Sequence, residues 1–384
     1  MNTQNTPIHI TQWHGSFWRI IMASLLLSVS VTILIPTLPL WMEYTNGLTA
    51  EETGLAMGSF ALGLYVPGGF CSYLVQRFRR NLVCVWAVAV LAVTMIVPLY
   101  LHGASVWTVC MLRVVQGAAF GLAEMVLAST LVIDASKSEQ RTEANHSATW
   151  FGRFALSIGP MVGLLIISFA DFFTVAMVAL GCLTLTILLI LSVHFPFRTP
   201  EDNVSIWCLD RFFLVQGWPL FMNLLPITIA VGLLCSLKVD AQFYGFIMIG
   251  FLLALLAQRF VFRDAELKSE IVSGLLLFGA ALLIMLQSPS SVLTAPMLGL
   301  GIGLVGSRFL LFFIKLSRHC KRGTALSTFM LAWESGLAMG IGAGFIYFEN
   351  NHTQLLYWAI GLVAGSLLLY LLWVHDWFVK HKNR

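Results

Sequence analysis

Charge is scarce in this chain of 384 residues: Asp, Glu, Lys and Arg together make up 10% of it. Soluble domains carry about 25%. With 58% hydrophobic residues, the chain lacks the polar surface needed to cover itself in water. Lipid is the expected solvent for most of it, and membrane lipid an expected partner. The seven cysteines (Cys71, Cys84, Cys110, Cys182, Cys208, Cys235 and Cys320) contain no CxxC spacing. Most fall inside apolar runs, where a thiol behaves as a small hydrophobe. No disulfide and no metal site is expected. The net charge of +4 comes from Lys and Arg gathered in polar joints, so no nucleic-acid partner is expected. Enzyme signatures are also missing: the chain holds no GxxxxGK[ST] phosphate loop, no HExxH and no GxSxG. It is therefore expected to be no enzyme and to need no cofactor, with a proton gradient as its energy source.

Long apolar runs are what the chain has instead. A membrane-spanning helix needs about 20 apolar residues. Twelve such runs are read at 17–41, 53–75, 82–101, 105–133, 143–168, 172–194, 211–237, 241–262, 268–287, 291–316, 323–348 and 354–377. Backbone groups in hydrocarbon must bond within their own segment, so the runs are helices rather than loops or open strands. The first run is about 25 residues long and no small-residue cleavage site follows it, so it reads as an uncleaved first helix.

Basic residues give the orientation. Every second joint carries them: Arg77, Arg79 and Arg80; Lys137 and Arg141; Arg198; Arg259, Arg263 and Lys268; Lys315, Arg318, Lys321 and Arg322. The opposite joints hold Lys238 alone. Positive joints stay inside. Both termini are therefore expected in the cytoplasm, and the compact joints suggest a bacterial cytoplasmic (inner) membrane.

The longest joint divides the helices six and six. This gives an N-terminal bundle at 1–194, a linker at 195–210 and a C-terminal bundle at 211–384. A repeat crosses that joint. Gln76-Arg77-Phe78 recurs as Gln258-Arg259-Phe260, an offset of 182. Gly159 and Gly163 match Gly340 and Gly344 at 181, and Arg141 matches Arg322 at the same offset. Two similar halves related by an axis along the membrane normal, with a site between them near the midplane, are a transporter architecture.

Three local patterns carry a resemblance. Helix 4 reads Arg113-Val114-Val115-Gln116-Gly117, helix 5 reads Gly159-Pro160-Met161-Val162-Gly163, and the joint between helices 2 and 3 reads Gln76-Arg77-Phe78-Arg79-Arg80. With twelve helices, these resemble the major facilitator superfamily: its RxxQG motif, the GPxxG core of its antiporter motif and its D-R-x-G-R-R loop. The helix 5 pattern and the pair Pro36 and Pro39 in helix 1 are similar to those of twelve-helix proton-linked drug and solute exporters. The resemblance implies an all-α membrane protein of two pseudo-symmetric six-helix bundles. It implies alternating access, and gating or helix-packing roles for Gln76, Arg77, Arg79, Arg80, Gln116, Gly117, Gly159, Pro160 and Gly163. Gln76 stands where the family's loop has Asp, Leu164 stands where the helix 5 motif ends in Gly, and helix 1 holds no buried acid.

Five ionisable residues lie deep inside the runs: Arg113, Glu124, Arg153, Arg308 and Glu334. A charge at mid-membrane costs about 2.5–3.5 kcal/mol on insertion scales, so such residues face a cavity or a partner. The helical rise puts Glu124 roughly 13 Å and Arg153 roughly 15 Å from the basic face. Arg308 and Glu334 fall near the same level. The expected pairs are Glu124–Arg153 and Arg308–Glu334, or cross-pairs over a central cavity, with the two halves inverted in charge. Glu124 and Glu334 are the candidate proton carriers. Arg113, Arg153 and Arg308 are the candidate substrate ligands; further candidates are Trp150 and Ser157, which flank Arg153 on one face of helix 5, Asn223 in helix 7, and Trp333 next to Glu334. A Glu beside an Arg stays charged until substrate claims the Arg, which links proton to substrate. Proton-coupled efflux of a small organic molecule by a monomer is the reading this favours. Proton-coupled or facilitated uptake of a nutrient such as a sugar or organic anion is the alternative. A membrane sensor or lipid-handling protein that moves no soluble solute is a further one.

Overall fold

The computed structural model describes residues 15–101, 103–132, 141–195, 205–262, 266–288, 291–318 and 321–383, and of 141–146 the backbone alone. Lys137, Arg198, Arg263, Cys320 and most of the linker lie outside the described residues, as does the Arg141 side chain. Among the described residues, twelve helices are long and apolar enough to cross a membrane. They are α1 (Gly15–Asn46), α2 (Ala50–Arg77), α3 (Arg80–Tyr100), α4 (Val106–Leu131), α5 (Ser147–Phe169), α6 (Phe172–Leu191), α7 (Val215–Cys235), α8 (Ala241–Phe260), α9 (Leu267–Gln287), α10 (Thr294–Leu316), α11 (Arg322–Phe348) and α12 (His352–His381).

The joints opposite the basic face are short, and side chains close them. Thr49 caps α2 in a reciprocal box with Glu52. Ser105, Asp171 and Asn351 each accept the backbone N–H three residues on, starting α4, α6 and α12. Gly47, at φ +66°, ends α1 in the left-handed conformation that glycine adopts without penalty. Several spans are locally rewound: α2 passes through a 3-10 turn at Gly68–Phe70, α3 ends and α7 begins in 3-10 turns at Val97–Tyr100 and Val215–Gly217, and α4 and α12 contain π turns at Leu127–Leu131 and Tyr370–Val374.

The packing repeats between the halves. In the first, α1 packs on α5 and α6, α2 on α4, and α3 on α4 and α6. In the second, α7 packs on α11 and α12, α8 on α10, and α9 on α10 and α12. The two bundles meet where α2 lies along α11 and α5 lies along α8. Glycines set the seams. A Cβ on Gly63 would stand 2.8 Å from the Gly117 Cα, and one on Gly250 would stand 2.7 Å from the Gly299 Cα. Thr32 donates to the Ala155 carbonyl at 2.8 Å, and Thr228 donates to the Ala332 carbonyl at 3.1 Å. Gly159 lies under Thr32 as Gly336 lies under Thr228.

These contacts correct the sequence register. Ala155 and Ala332, and Gly159 and Gly336, stand 177 residues apart rather than 181. Glycine recurs every fourth residue in α11, at Gly336, Gly340 and Gly344, so a Gly-x-x-x-Gly match slides by one helical turn at no cost. In the observed register Arg153 answers Met330 and Glu334 answers Ser157. The halves are alike in packing and are not inverted in charge.

Part of the linker straps the basic face. Cys208 N–H donates to the Gly69 carbonyl at 3.0 Å, and the Trp207 ring lies directly over Gly69, edge-on to Phe70. Three residues after Cys208, the Arg211 N–H donates to Thr324 Oγ1 of α11 at 2.9 Å, and Thr324 Oγ1 donates to Asp210. The Leu214 N–H donates to Thr328 Oγ1. One short segment thus ties the break in α2 to the first turns of α11.

Candidate functional site

The buried charges form two groups, on either side of the α11 segment from Phe329 to Glu334.

The first group is Glu124, Glu334 and Arg113. Glu124 on α4 and Glu334 on α11 border one cavity of about 20 Å³, with Leu64, Gly121, Met125 and Met330 among its walls. That volume admits about one water molecule. The two carboxyl groups therefore belong to different bundles and act on each other electrostatically. On its other side Glu334 borders a second cavity of about 20 Å³, shared with Arg113, Phe60, Met57 and Thr32. Tyr65 of α2 donates to Ser335, the next residue of α11, at 3.1 Å.

The Arg-x-x-Gln-Gly pattern explains how Arg113 is held. Three residues on a helix is one turn, and Arg113 Nη1 donates to Gln116 Oε1 at 2.9 Å. Gln116 Nε2 in turn donates to the Thr94 carbonyl of α3 at 3.1 Å. Gly117 lets the α2 backbone approach at Phe60, whose ring then lies 4.6 Å from the Arg113 guanidinium carbon. The motif is thus a bracket that fixes one arginine against an aromatic face.

The second group is Arg153, Arg308 and Glu270. Arg308 on α10 forms an ion pair with Glu270 on α9, and Gln258 on α8 donates to Glu270 Oε1 and to Ser307. The expected pairs Arg308–Glu334 and Glu124–Arg153 do not form. Depth along a helix had placed these residues at one level, but azimuth turns Arg308 toward α9 and away from α11. Glu270 was missed because it stands in the first turn of its helix, next to a basic joint. Its signal was periodicity: Glu270, Gly274, Phe278 and Ala281 share the buried stripe of α9.

Arg153 has no such partner. It is 3% exposed, and among the described residues none of its three guanidinium nitrogens meets a hydrogen-bond acceptor. Its guanidinium carbon lies 4.9 Å from the Trp150 ring, 5.6 Å from Trp333 and 5.8 Å from Phe329. Gly306 of α10 leaves room for it: a Cβ there would fall 3.1 Å from that carbon. Trp150, expected on the Arg153 face of α5, and Trp333, expected next to Glu334, both turn their rings to the Arg153 guanidinium. Ser157 donates instead to the Tyr244 carbonyl of α8, joining the bundles. Asn223 is fully buried between α7 and α12, where it donates to the Ser366 carbonyl at 2.9 Å and faces neither charge group. Gln76 donates to Ser72 within α2. Gly159 and Gly163 admit α1 at Thr32 and Ile33, with Pro160 between them.

Twelve spanning helices in two matching bundles, with charged groups buried at their interface, define a secondary-transporter architecture. The Major Facilitator Superfamily model matches residues 20–340, and the chain belongs to that superfamily. Solved structures agree in fold. A bacterial homolog of the human lysosomal transporter Spinster, in an inward-facing and occupied conformation, superposes with a TM-score of 0.68 at 12% identity, covering 96% of this chain and 98% of that one. A point mutant of the nucleoside transporter NupG gives 0.64 at 13% identity, covering 96% and 100%. A bacterial homologue of the iron transporter ferroportin, outward-facing, gives 0.61 at 14% identity, covering 94% and 99%. No curated protein matches in sequence.

Proposed function

We propose that this superfamily member is a monomeric, proton-coupled exporter of a small organic molecule in a bacterial cytoplasmic membrane, with both termini inside. The bundles 1–194 and 211–384 rock about the linker 195–210. The observation that carries the reading is the cavity shared by Glu124 and Glu334, one carboxyl group from each bundle. Two carboxylates at a site with room for one water repel unless a proton lies between them. Rocking separates their helices, so the proton is held in one conformation and released in the other. Arg113, across the second cavity, is the counter-charge left to Glu334 once the proton departs. The gradient supplies the drive, and no cofactor takes part. Export is preferred to uptake because Gly159, Pro160 and Gly163 of α5, which make the close seam with α1, resemble the antiporter motif.

The test is transport in proteoliposomes under an imposed pH gradient, over a panel of organic solutes. Glu124→Gln and Glu334→Gln are each expected to abolish pH-driven transport while solute exchange at equal pH persists. Wild-type pH dependence in the double variant removes the reading.

A further inference from the structure

Arg153 is the one member of the three buried arginines whose guanidinium lacks any polar contact. Arg113 has Gln116, and Arg308 has Glu270. A guanidinium carries five N–H donors in a planar fork. Stacked rings can offset its charge through their faces, but they accept none of the in-plane hydrogens. The acid whose field reaches Arg153 is Glu270, and its oxygens are already taken by Arg308 and Gln258. This group therefore holds two positive charges against one negative. The walls around the open charge are flat and apolar: Trp150 from α5, with Phe329 and Trp333 from α11. They come from both bundles, so the box assembles and comes apart as the halves move.

We propose that Arg153 and its three aromatic neighbours are the substrate subsite, and that the substrate is an organic monoanion whose acid group is joined to a flat aromatic body. The proposal rests on the transporter reading above and narrows it to a substrate class. Two coplanar oxygens of a carboxylate match the guanidinium fork. One negative charge neutralises the surplus of the group. A planar ring exchanges with, or slides between, the Trp150, Phe329 and Trp333 faces. A cation would meet an arginine, and a neutral molecule would leave the fork unsatisfied.

The experiment is equilibrium binding to the purified protein in detergent, read by tryptophan fluorescence and checked by calorimetry. The probes are benzoate, 1-naphthoate and indole-3-acetate, each with its amide, and 1-naphthylmethylammonium. At least one carboxylate is expected to bind ten times more tightly than its amide, with the ammonium compound weakest. Arg153→Gln should remove that preference and Arg153→Lys should restore part of it. Trp333→Leu should weaken the carboxylate and the amide together, since it removes the flat wall and keeps the charge. The wild-type comparison decides even if Arg153→Gln does not fold. Equal binding of acid and amide, preference for the cation, or binding of no probe at millimolar concentration overturns the proposal. Carboxylate binding through Arg153 without proton flux would retain the subsite while removing proton coupling. Proton flux with a neutral or cationic solute would do the reverse.

Discussion

Glu270 has both oxygens committed, one to Arg308 and one to Gln258, and it is 1% exposed. Removing one member of a buried pair leaves the other charge uncompensated, at a cost of about 3–5 kcal/mol. Glu270→Ala is therefore expected to lower the thermal unfolding midpoint in detergent sharply. The double change Glu270→Leu with Arg308→Met should recover most of the loss, because Arg308 is then not left without its partner. At the opposite face Asp171 is exposed and accepts hydrogen bonds from Thr174, which hold its carboxyl below the usual carboxylate value. A depressed value in the folded state stabilises above the ordinary one and is lost as pH falls through the lowered one. The Thr174 amide should lose exchange protection on acidification, and Asp171→Asn should make that protection independent of pH. Which residues are charged and deep was legible in the sequence. Which way each one points was not, since the rise along a helix gives depth and leaves azimuth to the neighbours. Arg308 turned to Glu270, which stands in the first turn of its helix and was passed over among the deep charges.

At the scale of the helix pair, the glycine seams make the sharpest claims. Gly63 and Gly250 face Gly117 and Gly299 with near-identical spacing. Overpacking a close contact costs about 1–3 kcal/mol. Gly63→Val and Gly250→Val should each lower the unfolding midpoint, and by similar amounts, because the two seams share one geometry. Gly181→Ala meets nothing within 4 Å and should raise it, as a helix prefers Ala to Gly by about 1 kcal/mol. The Arg-x-x-Gln-Gly and Gly-Pro-x-x-Gly patterns were readable because each lies within a turn or two of a single helix; the neighbours that Gln116, Gly117, Gly159 and Gly163 meet on α3, α2 and α1 were not. The register between the halves was harder to read. Three glycines at four-residue spacing in α11 gave equally good matches, and the interhelical bonds of Thr32 and Thr228 select the one used.

For the whole molecule, the α2–α11 seam away from the basic face is the first gate to test. Gly54 and Gly58 of α2 lie against Gly342 of α11, close enough that a Cβ on Gly342 would stand 2.8 Å from the Gly58 Cα. Gly342→Leu should wedge that seam. A cysteine at Ala338, which lines the cavity between Arg113 and Glu334, should then react at least about tenfold faster with an impermeant maleimide added from that side. Unchanged labelling would mean that access to this cavity does not run along α2 and α11. The twelve spans were visible from hydropathy alone, because lipid forces each apolar run into a helix.

The strap at Trp207–Arg211 has a mechanical corollary. The peptide that joins the two bundles is also fastened to each of them, at Gly69 on one side and at Thr324 on the other. Separation at that end must peel the connector from at least one anchor. Its length and its two footholds thus limit how far the mouth can swing, as a door chain does, and residues inserted between Cys208 and Asp210 would widen the swing without touching a helix.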